Sequence, residues 1–174
     1  MKYIKDYIRT IPDFPVPGIQ FRDITTILQD AEGLQLAIDG VNEMLRDTQY
    51  DVIVGPESRG FIFGVPVAYL NKKGFVPARK RGKLPGETIS VSYDLEYGTT
   101  EIEMHKDAIR AGQKVVIVDD LLATGGTTEA VIQLIEKLGG EVVKVCYVIE
   151  LVDLAGREKL GTYPVEALTV YEGE

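Results

Sequence analysis

Apolar positions recur along this chain in two rhythms: short unbroken runs rich in β-branched residues, and longer stretches with apolar residues three and four apart. The pattern predicts strands alternating with helices. Asp51-Val-Ile-Val-Gly55 reads as the first core strand, and residues 75–78, 114–118, 142–149 and 165–170 as the next four. A helix is expected from about Asp30, with Leu34, Ala37, Ile38, Val41 and Leu45 on one face. The segment Arg59 to Asn71 is apolar nearly all round and should be buried, with Pro66 tolerated in its opening turns or as a kink. Val131, Leu134, Ile135 and Leu138 form the stripe of a further helix, which Gly139-Gly140 stops. Strands and helices in this order imply an α/β fold, an open twisted parallel sheet of about five strands with helices on both faces.

Two segments stand outside that alternation. Ile4, Tyr7, Ile8 and Ile11 make a short helical stripe closed by Pro12, and Asp13-Phe-Pro-Val-Pro-Gly18 then forces a turn-rich path, so residues 1–30 read as an N-terminal arm. Residues 79–104 begin with a basic turn. Alternating Ile89, Val91 and Tyr93, then Ile102 and Met104, suggest a two-stranded ribbon, a candidate lid. No repeat or low-complexity linker divides the chain, so one domain is expected over 1–174.

Composition narrows the possibilities. A hydrophobic content of 45% over 174 residues is enough for a sizeable core, and the chain has no apolar run of membrane-spanning length and no basic, apolar leader. A cytoplasmic location is the expectation. The single cysteine, Cys146, lies in an apolar stretch and reads as a core thiol; the single histidine, His105, reads as a solvated loop-to-helix residue. With one of each, neither a protein-built metal cluster nor a Ser-His-Asp arrangement has its parts. A net charge of −8 argues against a nucleic-acid surface. Yet six of the nineteen basic residues, Lys72, Lys73, Arg79, Lys80, Arg81 and Lys83, fall within twelve positions. That surplus fits either a solvated turn or an anion site.

The densest chemistry lies in Val115-Val-Ile-Val-Asp119-Asp120-Leu-Leu122-Ala123-Thr124-Gly125-Gly126-Thr127-Thr128. Here a buried strand ends in two carboxylates, where ligands bind in open α/β sheets, and glycines lead into a helix. Glycines ahead of a helix let backbone N–H groups converge on an anion, with the positive end of the helix dipole behind them. Carboxylates beside a phosphate repel it unless they face another part of the ligand, such as ribose hydroxyls that donate to them. Ribose 5-phosphate satisfies both ends. The spacing matches neither a Walker loop nor the dinucleotide fingerprint.

That string resembles the phosphoribosyl pyrophosphate (PRPP) signature of the type I phosphoribosyltransferases. Four further segments make the chain similar, over nearly its full length, to the adenine phosphoribosyltransferases. They are Pro12 to Ile24 with Phe21-Arg22-Asp23, Gly55-Pro-Glu57-Ser58-Arg59-Gly60-Phe61, Arg79-Lys80-Arg81-Gly82-Lys83-Leu84-Pro85-Gly86, and Tyr93-Asp-Leu-Glu96-Tyr97-Gly98. The resemblance implies a type I phosphoribosyltransferase fold with an N-terminal hood, and transfer of ribose 5-phosphate from PRPP to adenine, giving AMP and pyrophosphate. It implies Mg²⁺ held mainly by PRPP and pyrophosphate, with no protein ligand set, and a homodimer. It also implies residue roles. Ala123, Thr124, Gly125, Gly126 and Thr127 would hold the 5-phosphate, and Asp119 and Asp120 the ribose hydroxyls. Arg59, Lys80 and Lys83 would lie near pyrophosphate, with Arg79, Glu57 and Ser58 beside them. Phe21 and Leu122 would sandwich the base, Arg22 would read its edge, and Glu96, next to Tyr97 on the lid, would relay a proton to the purine. Two alternatives stay open: transfer to hypoxanthine, guanine or xanthine, and a non-enzymatic PRPP-binding regulator. The latter is disfavoured by the short arm and the acidic charge.

Overall fold

The computed structural model describes residues 2–95 and 98–173. Its centre is β3 (Val52–Pro56), in which every residue is buried. Parallel neighbours flank it on both sides, β4 (Gly74–Lys80) on one and β7 (Lys114–Leu122) on the other. Beyond β7 lie β8 (Glu141–Leu151) and β9 (Val165–Tyr171), also parallel. These are the five strands that the apolar runs predict. The sheet has seven, in the order β5-β6-β4-β3-β7-β8-β9, because the ribbon β5 (Thr88–Leu95) and β6 (Gly98–His105) joins its edge. The junction is short and antiparallel, Arg79 opposite Glu103 and Lys80 opposite Ile102.

Strand periodicity sorts side chains between two cores. Val52, Val54, Val115, Ile117, Val145 and Tyr147 face one, and the alternating residues Ile53, Val116, Val118, Cys146 and Val148 face the other. Helices α2 (Ala31–Met44) and α3 (Arg59–Leu70) cover the second core through residues such as Ala37, Val41, Phe63 and Val67, and α4 (Gly126–Lys137) covers the first. The start of α2 is set by Asp30, whose carboxylate accepts from the N–H groups of Glu32 and Gly33 at 2.9 and 3.0 Å. Cys146 is fully buried, and burial pushes its thiol up to about 12, so it is an inert core residue.

The structure corrects two local expectations. The stripe Ile4, Tyr7, Ile8, Ile11 is not one helix: a single 3₁₀ turn spans Ile4–Tyr7, and the chain then extends as β1 (Arg9–Pro12), paired antiparallel with β2 (Gln20–Asp23). So short a helix before a proline is marginal, whereas the Arg9–Asp23 ion pair at 2.5 Å pins the opposed strands. His105 is the last residue of β6 rather than a loop-to-helix residue, because the Ile102/Met104 alternation carries the strand through it. The remaining helices are short, α1 (Thr25–Gln29) and α5 (Gly156–Lys159). No helix of the described residues is long and apolar enough to cross a membrane.

Candidate active site

A cavity of about 240 Å³ opens at the carboxyl ends of β3 and β7, between the N-termini of α3 and α4. β7 runs four residues beyond the predicted stop at Val118, so both acids belong to the strand itself. Asp119 is half-buried and Asp120 only 3% exposed. The Asp120 N–H donates to Asp119 Oδ1 at 2.8 Å, and Arg59 Nε, from the first residue of α3, lies 2.9 Å from Asp120 Oδ2. That contact is an ion pair without hydrogen-bond alignment. Among the described residues no donor is aligned on this buried oxygen, which leaves an acceptor available to a ligand hydroxyl. Glycine at position 60 is what lets α3 begin so near: a Cβ there would meet the Val118 carbonyl oxygen at 2.9 Å.

Leu122, Ala123 and Thr124 carry the cavity wall from β7 toward α4. Gly125 caps that helix with φ +84°, a left-handed conformation that side chains rarely adopt. The first helical hydrogen bond back to Gly125 comes from Glu129 at 2.9 Å, so the amides of Gly126, Thr127 and Thr128 have no intrahelical acceptor and gather at the cavity. Thr128 turns inward to the Tyr147 hydroxyl, and Thr127 Oγ1 donates to Tyr93 Oη at 3.3 Å. Opposite them, Glu57 follows a β3 that ends at Pro56, and its peptide to Ser58 is cis. Glu57 Oε1 accepts from the Lys80 N–H at 2.6 Å and lies 3.5 Å from Arg79 Nε, tying the basic turn to the mouth of the cavity.

A family model described as a phosphoribosyl transferase domain matches residues 23–170. The adenine phosphoribosyltransferase of Agathobacter rectalis is 60% identical over 174 residues, covering 100% of both chains. The chain belongs to the adenine phosphoribosyltransferase family. Among solved structures, the family member from Thermoanaerobacter pseudethanolicus superposes with a TM-score of 0.93 at 52% identity, covering 97% of this chain and 98% of that one. The Saccharomyces cerevisiae member, complexed with an imino-altritol bisphosphate and adenine, gives a TM-score of 0.89 at 42% identity over 95% and 96% of the two chains.

Of the residues that the family resemblance singles out, the fold gathers Glu57, Arg59, Asp119 and Asp120 around one cavity, together with the run from Leu122 to Thr127. Ser58 caps α3 between two of them but is not part of the wall. Arg79 and Lys80 end β4; Arg79 Nη1 donates to the Lys83 carbonyl at 3.1 Å, and this basic turn stands beside the cavity rather than in its wall. Phe21 and Arg22 sit on β2, away from the wall. Phe21 meets Phe14 edge to face at 5.1 Å, and the Arg22 guanidinium lies 4.1 Å above the Tyr171 ring. Glu96 and Tyr97 lie outside the described residues.

Tyr93, Asp94 and Gly156 escaped the sequence reading, as did the wall residues Pro56, Leu121 and Thr128. Tyr93 and Asp94, on β5, line the cavity because the ribbon folds across the start of α4; the Tyr93–Gly98 match was visible, but it directed weight to Glu96. Gly156 lies beneath the loop: a Cβ on it would stand 2.2 Å from the Ala123 carbonyl oxygen. No local signal marks a contact made across some thirty positions.

Burial and the neighbouring Asp120 carboxylate push the Asp119 carboxyl well above the usual carboxylate range, since both favour its neutral form. A carboxyl raised in this way lowers folding stability wherever the unfolded chain would ionise it. The loss is absent below the ordinary value of 3.8, where the group is protonated folded or unfolded, and it grows as pH rises through and beyond that value. Asp119→Asn is therefore expected to raise Tm at pH 8, with the gain shrinking as pH falls into the ordinary carboxylate range. Calorimetric scans at fixed ionic strength read the trend, and a gain independent of pH would clear Asp119 ionisation as its cause.

Proposed function

We propose that this chain transfers the 5-phosphoribosyl group of PRPP to N9 of adenine, forming AMP and releasing pyrophosphate, within the cavity at the ends of β3 and β7. The observation that carries this reading is the juxtaposition of a carboxylate pair, Asp120 buried and Asp119 half-buried, with the free amides at the start of α4. The amides of Gly126, Thr127 and Thr128 take the 5-phosphate, with Ala123 to Gly125 wrapped about it. Asp119 and Asp120 accept from the ribose hydroxyls and offset the positive charge that grows on the ring as the bond from the anomeric carbon to pyrophosphate breaks. The departing pyrophosphate is met by Arg59 and by the turn bearing Arg79, Lys80 and Lys83, with Glu57 and Ser58 holding that turn and the start of α3.

Leu122 gives one apolar face for the base. Phe21 and Arg22, carried by the β1–β2 hairpin, are proposed as the second apolar face and the edge-reading group for the base. Glu96 is proposed to relay the purine proton, with Tyr97 beside it. Among the described residues no three His, Cys, Asp or Glu side chains cluster to hold a metal. The hard oxygens of Asp119 and Asp120 would suit a dication carried on ribose, and Mg²⁺ held mainly by PRPP would supply neutralisation of the pyrophosphate charge. A homodimer is supported by the outer face of α3, where Val65 and Leu70 stand exposed and Tyr69 is 82% exposed.

The test is pyrophosphate release from PRPP and Mg²⁺ with adenine, hypoxanthine, guanine, xanthine, uracil and orotate supplied one at a time. Release with adenine, accompanied by AMP, is the expected outcome. Release with another base instead would overturn the roles given to Phe21 and Arg22, and PRPP binding without release under any base would make the chain a regulator.

A further inference from the structure

The phosphate loop does not stand on its own residues. Ala123 to Gly125 lie against a turn that arrives from the far side of β8, and the contact is backbone to backbone. Gly156 sits under Ala123 with no room for a side chain, since a Cβ would meet Ala123 O at 2.2 Å and Leu122 Cδ1 at 2.7 Å. In return, a Cβ on Gly125 would meet Gly156 O at 2.8 Å. The height and tilt of this turn therefore decide where the amides at the start of α4 point.

One side chain ties the turn to the neighbouring strands. Arg157 follows Gly156, and its guanidinium makes three bonds: Nε donates to Glu150 Oε1 at 2.9 Å, Nη2 donates to Glu150 Oε2, and Nη1 donates to the Val165 carbonyl at 2.5 Å. Glu150 lies near the carboxyl end of β8 and Val165 begins β9, so the fork ties the turn to two strands at once. Glu150 is also one of few buried carboxylates among the described residues, at 5% exposure. An ion pair whose arginine stands half open to solvent is a weak source of net stability, but a planar two-bond fork fixes orientation. Before it, Ala155 takes a left-handed conformation, φ +52°, which aims Gly156 at the loop. Neither charged group lines the reaction cavity.

The geometry points to Glu150 and Arg157 as positioning residues for the 5-phosphate: they brace the Gly156 turn, the turn seats Ala123 to Gly125, and the seat orients the phosphate-binding amides. The inference rests on the 5-phosphate being held by Ala123 to Thr128. It predicts a selective defect. Ligands that carry a 5-phosphate lose affinity when the fork is cut, and a ligand that lacks one does not.

The experiment measures binding of PRPP, AMP and Mg²⁺-pyrophosphate to the intact protein by calorimetry, with KM and kcat alongside, for the native chain, Arg157→Met, and Arg157→Met combined with Glu150→Gln. In Arg157→Met, affinity for PRPP and for AMP falls together by roughly 10–100-fold, while pyrophosphate binding and the KM for adenine stay within about twofold of native. The double variant removes the unpaired buried carboxylate and recovers Tm without recovering PRPP affinity. Should Arg157→Met fail to fold, Arg157→Lys keeps the charge, loses the fork and reads the same split. Unchanged PRPP and AMP affinities, an equal loss across all three ligands, or full recovery in the double variant would each overturn the positioning role. Failure of the native chain to bind PRPP or AMP would instead overturn the proposed function on which it rests.

Discussion

Asp120→Asn is expected to lower kcat/KM for PRPP by roughly 10²–10³, equivalent to about 3–4 kcal/mol of transition-state stabilisation. The amide has the size and shape of the carboxylate it replaces, so the cavity keeps its form. What changes is charge. Asp120 is almost wholly buried, its Oδ2 lies 2.9 Å from Arg59 Nε, and no donor of the described residues is aligned on that oxygen. In the proposed reaction that oxygen meets a ribose hydroxyl and faces the positive charge developing at the anomeric carbon. An amide supplies neither the full acceptor strength nor the compensating charge, and it releases Arg59 from the position from which it meets pyrophosphate. Initial rates of AMP formation at saturating adenine and varied PRPP give kcat/KM, and Tm tests whether the fold persists. A loss below about tenfold with an unchanged Tm would reduce Asp120 to an anchor for Arg59.

The second large effect comes from a residue with no chemistry of its own. Gly156→Ala is expected to weaken PRPP binding by about 10²-fold and to lower stability by roughly 1–3 kcal/mol, the usual range for overpacking. A methyl group has no rotamer through which to escape. With the new carbon 2.2 Å from Ala123 O, relief requires one of the two backbones to move by about 1 Å, the distance needed to restore ordinary contact. Either movement carries the phosphate loop with it. Gly74→Ala supplies the control, because its added Cβ would meet nothing closer than Val52 Cγ2 at 3.8 Å and it begins β4, at the opposite end of the strand from Lys80. Native-like PRPP affinity is expected there. Equal behaviour of the two variants would mean that the loop adjusts to Gly156 without moving its amides.

Local pattern alone was enough to read the five parallel strands, the three long helices and the Asp119 to Thr127 run as one site, whose residues the fold gathers around a single cavity. Each of these rests on neighbours in sequence: a run of β-branched residues, apolar residues three and four apart, or glycines directly after two acids. The N-terminal stripe Ile4 to Ile11 failed the same test, because apolar spacing also fits a strand edge and the pairing with β2 that decided the matter, from Arg9–Asp23 to Pro12–Gln20, lies beyond the reach of local spacing. Tertiary structure alone decided the rest. It set the ribbon on the β4 edge through Arg79 and Glu103, carried β7 on through Leu122 with both acids inside it, and laid Tyr93 and Asp94 across the start of α4. It placed Phe21 and Arg22 on a separate hairpin, away from the wall formed by Leu122. It also put Gly156 beneath Ala123 and closed the Glu150–Arg157 fork behind it. Periodicity encodes which face of an element is buried, whereas contacts between elements depend on how twisted strands and packed helices meet in space, and no stretch of sequence contains both partners.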